Sequence, residues 1–503
     1  MKLDTGTELP EKFVLTKEFK DTFDLINQTD TNLFITGKAG SGKSTLLEYF
    51  RQNTNKNFAT LAFQGITAIK AKGQTIHSFF KLGPHFLGKD DVKELRDKQV
   101  IQNLDTILID EISMVRADLF DAIDLSLKKN RKNDKPFGGV QMVLFGDVMQ
   151  IDPIVGSDDE VMEKFYPNGP FFFNSKSYSK KDFKQIELTK IFRQSDKKFV
   201  NLLNKIRMNK LQNEDLSILN NQLINREEVP KDTIILAPTN RKVDDINNTN
   251  LYKLTTPTFN YNAIVKGSWK DKEHPVKKEI VLKVGAQVMI TKNDTDEPKR
   301  WVNGTLGIIT FLSKDQIKIK IKDKIFSLGK TKWDKYNYKF SGNKVNAFSV
   351  GSFIQFPLKL AWATTIHKSQ GQTFDNVSID LDTGSFAHGQ TYVALSRAKS
   401  LEGISLLKKI QKKDIIFDAR VLEFIGQKLE SKYISEILKN APKSKKKIMP
   451  KSSKSNSNEW TTSDDNKLLA LYKRNVPEFA LAKILKKSIT QIRERIMYLM
   501  KNN

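Results

Sequence analysis

Apolar and polar positions along the chain follow two different periods. Short apolar runs near 33–36, 58–63, 106–109 and 141–145 have the length of strands. Helical stretches separate them. The segment "TLLEYFRQ" that follows position 44 reads as a helix with Leu46, Leu47 and Phe50 on one side. Strands that alternate with helices predict a parallel sheet flanked by helices. In the second half, "TIILAP" (233–238), "NVSIDL" (376–381) and "GISLLK" (403–408) read as strands of the same kind. Between them, "DQIKIKIKDKIFSL" (315–328) alternates at period two, which predicts antiparallel strands. Near the end the helical period returns. Ser463 can cap a helix that carries Asp464 and Asp465 in its first turn. Pro477 can start a second helix, and "SITQ" has a capping-box form before a third, striped by Ile489, Ile492, Ile496 and Leu499.

Length and charge add to this picture. At roughly 100–200 residues per domain, a chain of 503 residues should fold as two to four domains. Lys and Arg number 84 against 58 Asp and Glu, a formal charge of +26 that favours a polyanionic partner. The same surplus also suits a Lys-rich background with no such partner. No cysteine is present, which excludes disulfides, thiolate catalysis and cysteine zinc sites. The five histidines do not cluster at ligand spacing, so a metal role for them is not expected. No apolar run reaches the ~20 residues of a membrane helix. The expected setting is soluble, cytoplasmic and nucleoid-associated, without a membrane partner.

The chemistry begins at "LFITGKAGSGKST" (33–45). A strand, a GxxxxGK[ST] loop and a helix form a phosphate cradle. The residues expected to bind nucleotide are Gly37, Lys38, Ala39, Gly40, Ser41, Gly42, Lys43, Ser44 and Thr45. Backbone N–H groups in the glycine-rich turn point at phosphate oxygens. Lys43 reaches the β- and γ-phosphates, and Ser44 offers a hydroxyl to Mg²⁺. A second strand ends in Asp110 and Glu111. Asp110 is placed to hold the Mg²⁺ shell and Glu111 to orient or deprotonate the attacking water. Gln150, after a third strand, is a neutral amide that can sense the γ-phosphate. Arg193 and Arg397 sit in different halves of the chain. If both stabilise the transferring phosphoryl group, ATP must sit in a cleft between two domains.

The ordered series "GKAGSGKST", "GQTIHSFF", "DEISM", "GDVMQIDP", "LTKIFRQ", "ILAPTN", "LKVGAQVMITKND", "WVNGTLG", "TTIHKSQGQTFD" and "YVALSRAKS" resembles a superfamily-one helicase of the Pif/RecD-like group. The resemblance extends from about residue 15 to about 409. It implies an α/β fold of two RecA-like domains, with a small SH3-like β insertion in the second. The first domain would span 1–200, with a strand-splitting pin region near 79–100. The second would span 201–425, with the insertion at 256–348. The resemblance also implies an ATP- and Mg²⁺-dependent DNA motor moving 5′ to 3′. Two departures stand out. Phe19 lies where relatives often place an adenine-reading glutamine, and Phe63-Gln64 replaces a common Pro-Thr before Gly65.

A single strand is held by phosphate contacts and base stacking. The expected DNA-binding residues of the first half are Gly65, Thr75, His77, Ser78 and Phe79. Those of the second half are Thr239, Asn240, Thr365, His367, Lys368 and Ser369. A helix and a lysine-rich linker would occupy 426–459. The three helices after Trp460 resemble a Myb/SANT-like helix-turn-helix module over 460–503. Its third helix would offer Arg493 and Arg495 to duplex DNA, and docking of a protein is the other reading. The expected partners are single-stranded and junction DNA. Oligomeric state is open, with a monomer presumed. The leading reading is a helicase of replication, repair or recombination. A nucleotide-gated remodeller and an RNA helicase are the alternatives.

Overall fold

The structure, a computed structural model, describes residues 13–426 apart from single residues and short stretches in loops. It also describes Leu9, Asp465, Leu468, Arg495 and Leu499. The chain divides into two compact units, Met1–Ala441 and Pro442–Asn503. In the second, Leu468 is fully buried and Arg495 makes a two-pronged ion pair with Asp465, at 2.8 and 2.7 Å. The expected linker, Arg493 and most of the three C-terminal helices lie outside the described residues.

The first unit has an α/β fold with an antiparallel β insertion. Its first sheet has six parallel strands: β1 (Asn32–Gly37), β2 (Phe58–Ala62), β3 (Gln74–Thr75), β4 (Thr106–Asp110), β5 (Gln141–Phe145) and β6 (Phe183–Leu188). Their order is β3-β2-β4-β5-β1-β6. β4, β5 and β1 are central and apolar on both sides, as a sheet sandwiched between helices requires. Alternation along β1 divides the core. Leu33 and Ile35 meet Phe19, Leu46, Leu47 and Phe50 on one face. Phe34 meets the aromatic cluster of Phe120, Phe172 and Phe183 on the other. Each such phenylalanine contributes about 2–3 kcal/mol on burial.

The second parallel sheet has four strands: β7 (Ile234–Ala237), then β18 (Ala363–Thr365), β19 (Val377–Ile379) and β20 (Ile404–Leu406), in the order β18-β7-β19-β20. Between β7 and β18 lie ten antiparallel strands. They are β8 (Thr258–Asn262), β9 (Ile264–Gly267), β10 (Glu279–Lys283), β11 (Gln287–Ile290), β12 (Leu306–Leu312), β13 (Ile317–Ile321), β14 (Lys324–Leu328), β15 (Thr331–Ser341), β16 (Lys344–Gln355) and β17 (Leu358–Leu360). The period-two segment is the hairpin β13–β14, with Ile317, Ile319, Ile321 and Leu328 turned inward. These strands run to Leu360. The long hairpin β15–β16 reaches back to the first sheet, where the Tyr338 hydroxyl accepts from Thr60 N at 2.8 Å.

Candidate ATP site and nucleic-acid interface

The cradle loop joins β1 to the helix Lys43–Asn53. Gly40 and Gly42 have φ of +82° and +86°, a region that L side chains rarely adopt. They are also crowded. A Cβ on Gly40 would lie 2.4 Å from Arg193 Cβ, and one on Gly42 would lie 2.7 Å from Phe19 Cζ. Lys43 Nζ folds back to donate to the carbonyls of Gly37 and Lys38, at 2.7 and 3.3 Å. Burial pushes its pKa down, and Asp147, Glu111 and Asp110 oppose that. Ser41 Oγ is buried without a partner, while Ser44 is exposed at the helix start and Thr45 is half-buried.

Asp110 and Glu111 close β4 beside this loop. Glu111 has φ 52° and ψ 50°, the left-handed region that costs a non-glycine residue on the order of 1 kcal/mol or more. Its Oε2 is buried without a partner. Burial first, then the Glu111 charge, pushes the Asp110 carboxyl up to about 7. Glu111 is raised too, chiefly by burial, while Lys43 and Arg397 pull it down. A strained turn with an orphaned carboxylate oxygen next to an ammonium fits a cation-bearing phosphate group. Among the described residues no cluster of His, Cys, Asp or Glu forms a separate metal site.

Both arginines converge on this place. Arg397 is fully buried. Its Nε donates to Val393 O at 2.9 Å and its other nitrogens to Ser396 Oγ, Ser369 O and Gln372 O at 2.8, 3.3 and 3.4 Å. Burial and the neighbouring Arg193 push it down to about 9. Arg193 donates to Ser396 O at 3.3 Å. Gln150 is buried, donates to Asp147 at 3.4 Å and accepts from Gln370 at 3.4 Å.

Several site residues have no role assigned by the motifs, although Asp147, Gln194 and Tyr392 lie inside them. Asp147 is fully buried and paired with Arg207 at 3.0 Å, and that guanidinium, with Lys43, holds its carboxyl below the usual range against burial. Tyr392 accepts from the cradle's Ala39 N at 3.3 Å. Gln194 donates to the carbonyls of Ser396 and Ala398, at 3.2 and 3.0 Å. Lys70 acts electrostatically on Asp110 and Glu111. Arg207 has no local signal, because its partner lies 60 positions away.

The expected strand contacts fall into two groups. Gly65 opens the helix Gly65–Lys70, and His77, Asn240, His367 and Lys368 are at least partly exposed. Burial pushes His367 down, so it is neutral at neutral pH. Lys368 Nζ donates to Asn240 Oδ1 at 3.0 Å. The small hydroxyls mostly shape turns. Thr75 caps the helix Ile76–Phe80, and Ser78 Oγ accepts from Gln74 at 2.9 Å. Thr239 caps the helix Asn240–Lys253.

Three expectations need correction. Phe79 is no stacking platform: it is packed edge-on against Phe80 and Tyr338 and is 8% exposed. Thr365 and Ser369 are buried, with their hydroxyls bonded to Lys368 N and Ile366 O. They build the turn that presents Lys368. Arg495 is partly exposed and spends its Nε and Nη2 on Asp465, so only Nη1 of the guanidinium stays outside that pair.

Comparison with known proteins agrees with this geometry. Residues 14–217 match the family described as "PIF1-like helicase", and residues 360–401 match "UvrD-like helicase C-terminal domain". The ATP-dependent DNA helicase Pif1 of Bdellovibrio bacteriovorus is 31% identical over 424 residues, covering 82% of this chain and 92% of that protein. The chain spans 64% of the length of its Danio rerio relative. Unliganded Pif1 from Bacteroides sp. superposes with a TM-score of 0.75 at 36% identity, over 82% of this chain and 97% of that one. Bacteroides Pif1 bound to ssDNA scores 0.61 at the same identity, over 84% and 98%. The arrangement here is thus nearer the DNA-free one. With the cradle, the carboxylates and both arginines in one cleft, the chain belongs to the Pif1 family of ATP-dependent DNA helicases.

Proposed function

We propose that the protein is an ATP-driven motor that moves 5′ to 3′ on single-stranded DNA and unwinds duplex at forks, in replication, repair or recombination. One observation carries the reading: Lys43 and Glu111 of one wall meet Arg397 of the other, and Arg397 is bonded to the segment expected to hold the strand. Bound Mg·ATP supplies the electrophilic γ-phosphoryl group. Ser44 and Asp110 are the residues to hold the Mg²⁺. Glu111 orients water and takes its proton, which its raised basicity favours. Arg193 and Arg397 stabilise the developing charge. The two γ-phosphate sensors share one lever. Arg397 bonds to Ser369 and Gln372, and Gln150 bonds to Gln370, so the arrangement around the phosphate bears directly on residues 367–372.

Residues 1–200 and 201–425 act as the two motor domains, with 256–348 as the core of the insertion and 79–100 as the strand-splitting pin. The pin segment is well anchored: Leu87 N and Leu95 N donate to Asp118 and Asn130 of the helix Ala117–Arg131. The helix and linker expected at 426–459 lie outside the described residues apart from Gly426. Residues 460–503 form a Myb/SANT-like module, for which the Asp465–Arg495 pair and the buried Leu468 speak. Arg493 is its expected DNA contact.

The test uses duplexes bearing a 5′ or a 3′ DNA tail, with Mg·ATP and a Glu111→Gln control. Separation of only the 5′-tailed duplex, lost in the control, is expected. ATP turnover with no separation of either would replace the motor by a remodeller. Separation of an RNA duplex alone would replace the DNA substrate.

A further inference from the structure

Three lysines from three parts of the first unit lie near one another. Ile69, beside Lys70, packs on the insertion core that Leu358 and Leu360 join, and the charges of Lys70 and Lys368 both act on Lys359. Lys70 ends the helix Gly65–Lys70 of the first motor half. Lys359 is the middle residue of β17, the edge strand of the five-stranded insertion sheet, opposite Met289. Lys368 lies in the helical turn His367–Ser369 of the second half. Leu358 and Leu360 pack on the insertion core, so alternation along β17 turns Lys359 to the other face. That helix of the first half also lies against the insertion, where a Cβ on Gly65 would meet Glu273 Cα at 3.6 Å.

The side chains of Lys70 and Lys368 are exposed, and Lys359 keeps partial solvent access. Among the described residues neither Lys70 nor Lys359 makes a side-chain hydrogen bond or ion pair. Lys368 bonds only the neutral Asn240 amide oxygen. Burial first, and then the ammoniums of Lys70 and Lys368, pushes Lys359 down to about 8. The carboxylates of Asp110 and Glu111 act on Lys70 and not on Lys359. Like charges gathered in a protein-walled cleft raise each other's free energy, and a bound anion relieves that.

We propose that Lys70, Lys359 and Lys368 form the seat of one backbone phosphate of the DNA strand, assembled from both motor halves and the insertion. The proposal rests on the strand lying in this cleft. It adds a contact that no motif marks and ties the insertion to the grip. A phosphate beside Lys359 raises its pKa, so strand binding takes up a proton where the free ammonium has begun to dissociate. Affinity is therefore full below about pH 8 and falls as pH rises through that value.

The experiment is binding of a fluorescent single-stranded oligothymidine, followed by anisotropy across salt and across pH. Lys359→Gln should weaken binding about tenfold and reduce the steepness of the log–log salt dependence by about 0.7. It should also flatten the pH profile. Lys359→Arg should keep the affinity and flatten the profile too, because a guanidinium stays charged. Lys324→Gln, on exposed β14, should change none of these. A Lys359→Gln protein with wild-type salt and pH dependence overturns the seat while the motor stands. A wild-type protein that does not bind the strand overturns both.

Discussion

The two walls of the cleft solve the same problem in opposite ways. The wall carrying the cradle is under-satisfied. Glu111 sits in a left-handed turn, its Oε2 has no partner, and neither do Ser41 Oγ and Ser113 Oγ. The facing wall carries a saturated arginine: every guanidinium nitrogen of Arg397 donates to the protein, and Tyr392 accepts from the cradle, although Gln372 Oε1 and Gln390 Nε2 on the same wall have no partner. Unmet groups and strain cost stability and persist where a reaction uses them. That arginine has its pKa lowered to about 9 by burial and by Arg193, and it stays protonated at neutral pH. One wall is thus shaped around what binds, and the other is held ready by its own backbone.

If that contrast is right, the largest loss comes from the saturated arginine. Arg397→Lys keeps a positive charge but cannot keep four donors in a planar fork. Its kcat for DNA-stimulated hydrolysis should fall about 10³-fold, with nucleotide affinity little changed. Stopped-flow hydrolysis with a separate nucleotide-binding titration reads both. A fall in affinity with kcat intact would make Arg397 a binding group and break the comparison.

Next in size is the buried Asp147–Arg207 pair, whose carboxylate also feels the Lys43 charge. Asp147→Asn leaves Arg207 buried without a counter-charge and should destabilise by about 3–5 kcal/mol in urea unfolding. A change under ~1 kcal/mol would mean that Glu187 and solvent already compensate Arg207.

These cases also separate what the sequence makes legible from what it hides. The cradle was readable because its chemistry is local: positive-φ glycines, Lys43 and Ser44 fall within nine positions. Strands β1, β2, β4 and β5 were readable because central parallel strands are continuous apolar runs. β6 was not, since its burial pattern is apolar only at the ends, as suits an edge strand. Phe79 misled because a stacking ring and a core ring look alike in a sequence. Only the arrival of Tyr338, 259 positions later (338 − 79), decides between them. The threonines and serines of the strand-contact motifs were read as donors to DNA. Thr75 and Thr239 are caps, which is the commoner use of a small hydroxyl before a helix.

The comparison implies the opposite sign for an orphan lying away from the chemistry. Asp152 has a buried oxygen without a partner, and burial pushes its carboxyl up to about 6 from an ordinary 3.8. A raised carboxylate binds its proton more tightly in the folded state. Its destabilising effect is therefore absent below about pH 4, grows between pH 4 and 6, and is full above that. His388 offsets part of it. Asp152→Asn should stabilise by about 1–2 kcal/mol at pH 7 and by little at pH 4. A gain that does not vary with pH would show that packing, not charge, is responsible.

The smallest effect tests whether an orphan without a function is merely a cost. Ser378 lies in the middle of β19, fully buried, with its backbone paired to Ile235 and Ser405 and its hydroxyl unpartnered. Ser378→Ala removes the hydroxyl and leaves the ladder intact. Stability should rise by about 0.5–1 kcal/mol, read as a higher urea midpoint at constant slope. Turnover should be unaffected, since the residue touches neither wall. Glu111→Gln relieves the buried charge at the other orphan, yet it should abolish turnover. The two variants together separate orphans that the reaction needs from those that the fold merely tolerates. A Ser378→Ala protein less stable than wild type would mean that the hydroxyl has a partner in solution, and would narrow the contrast to the cradle wall alone.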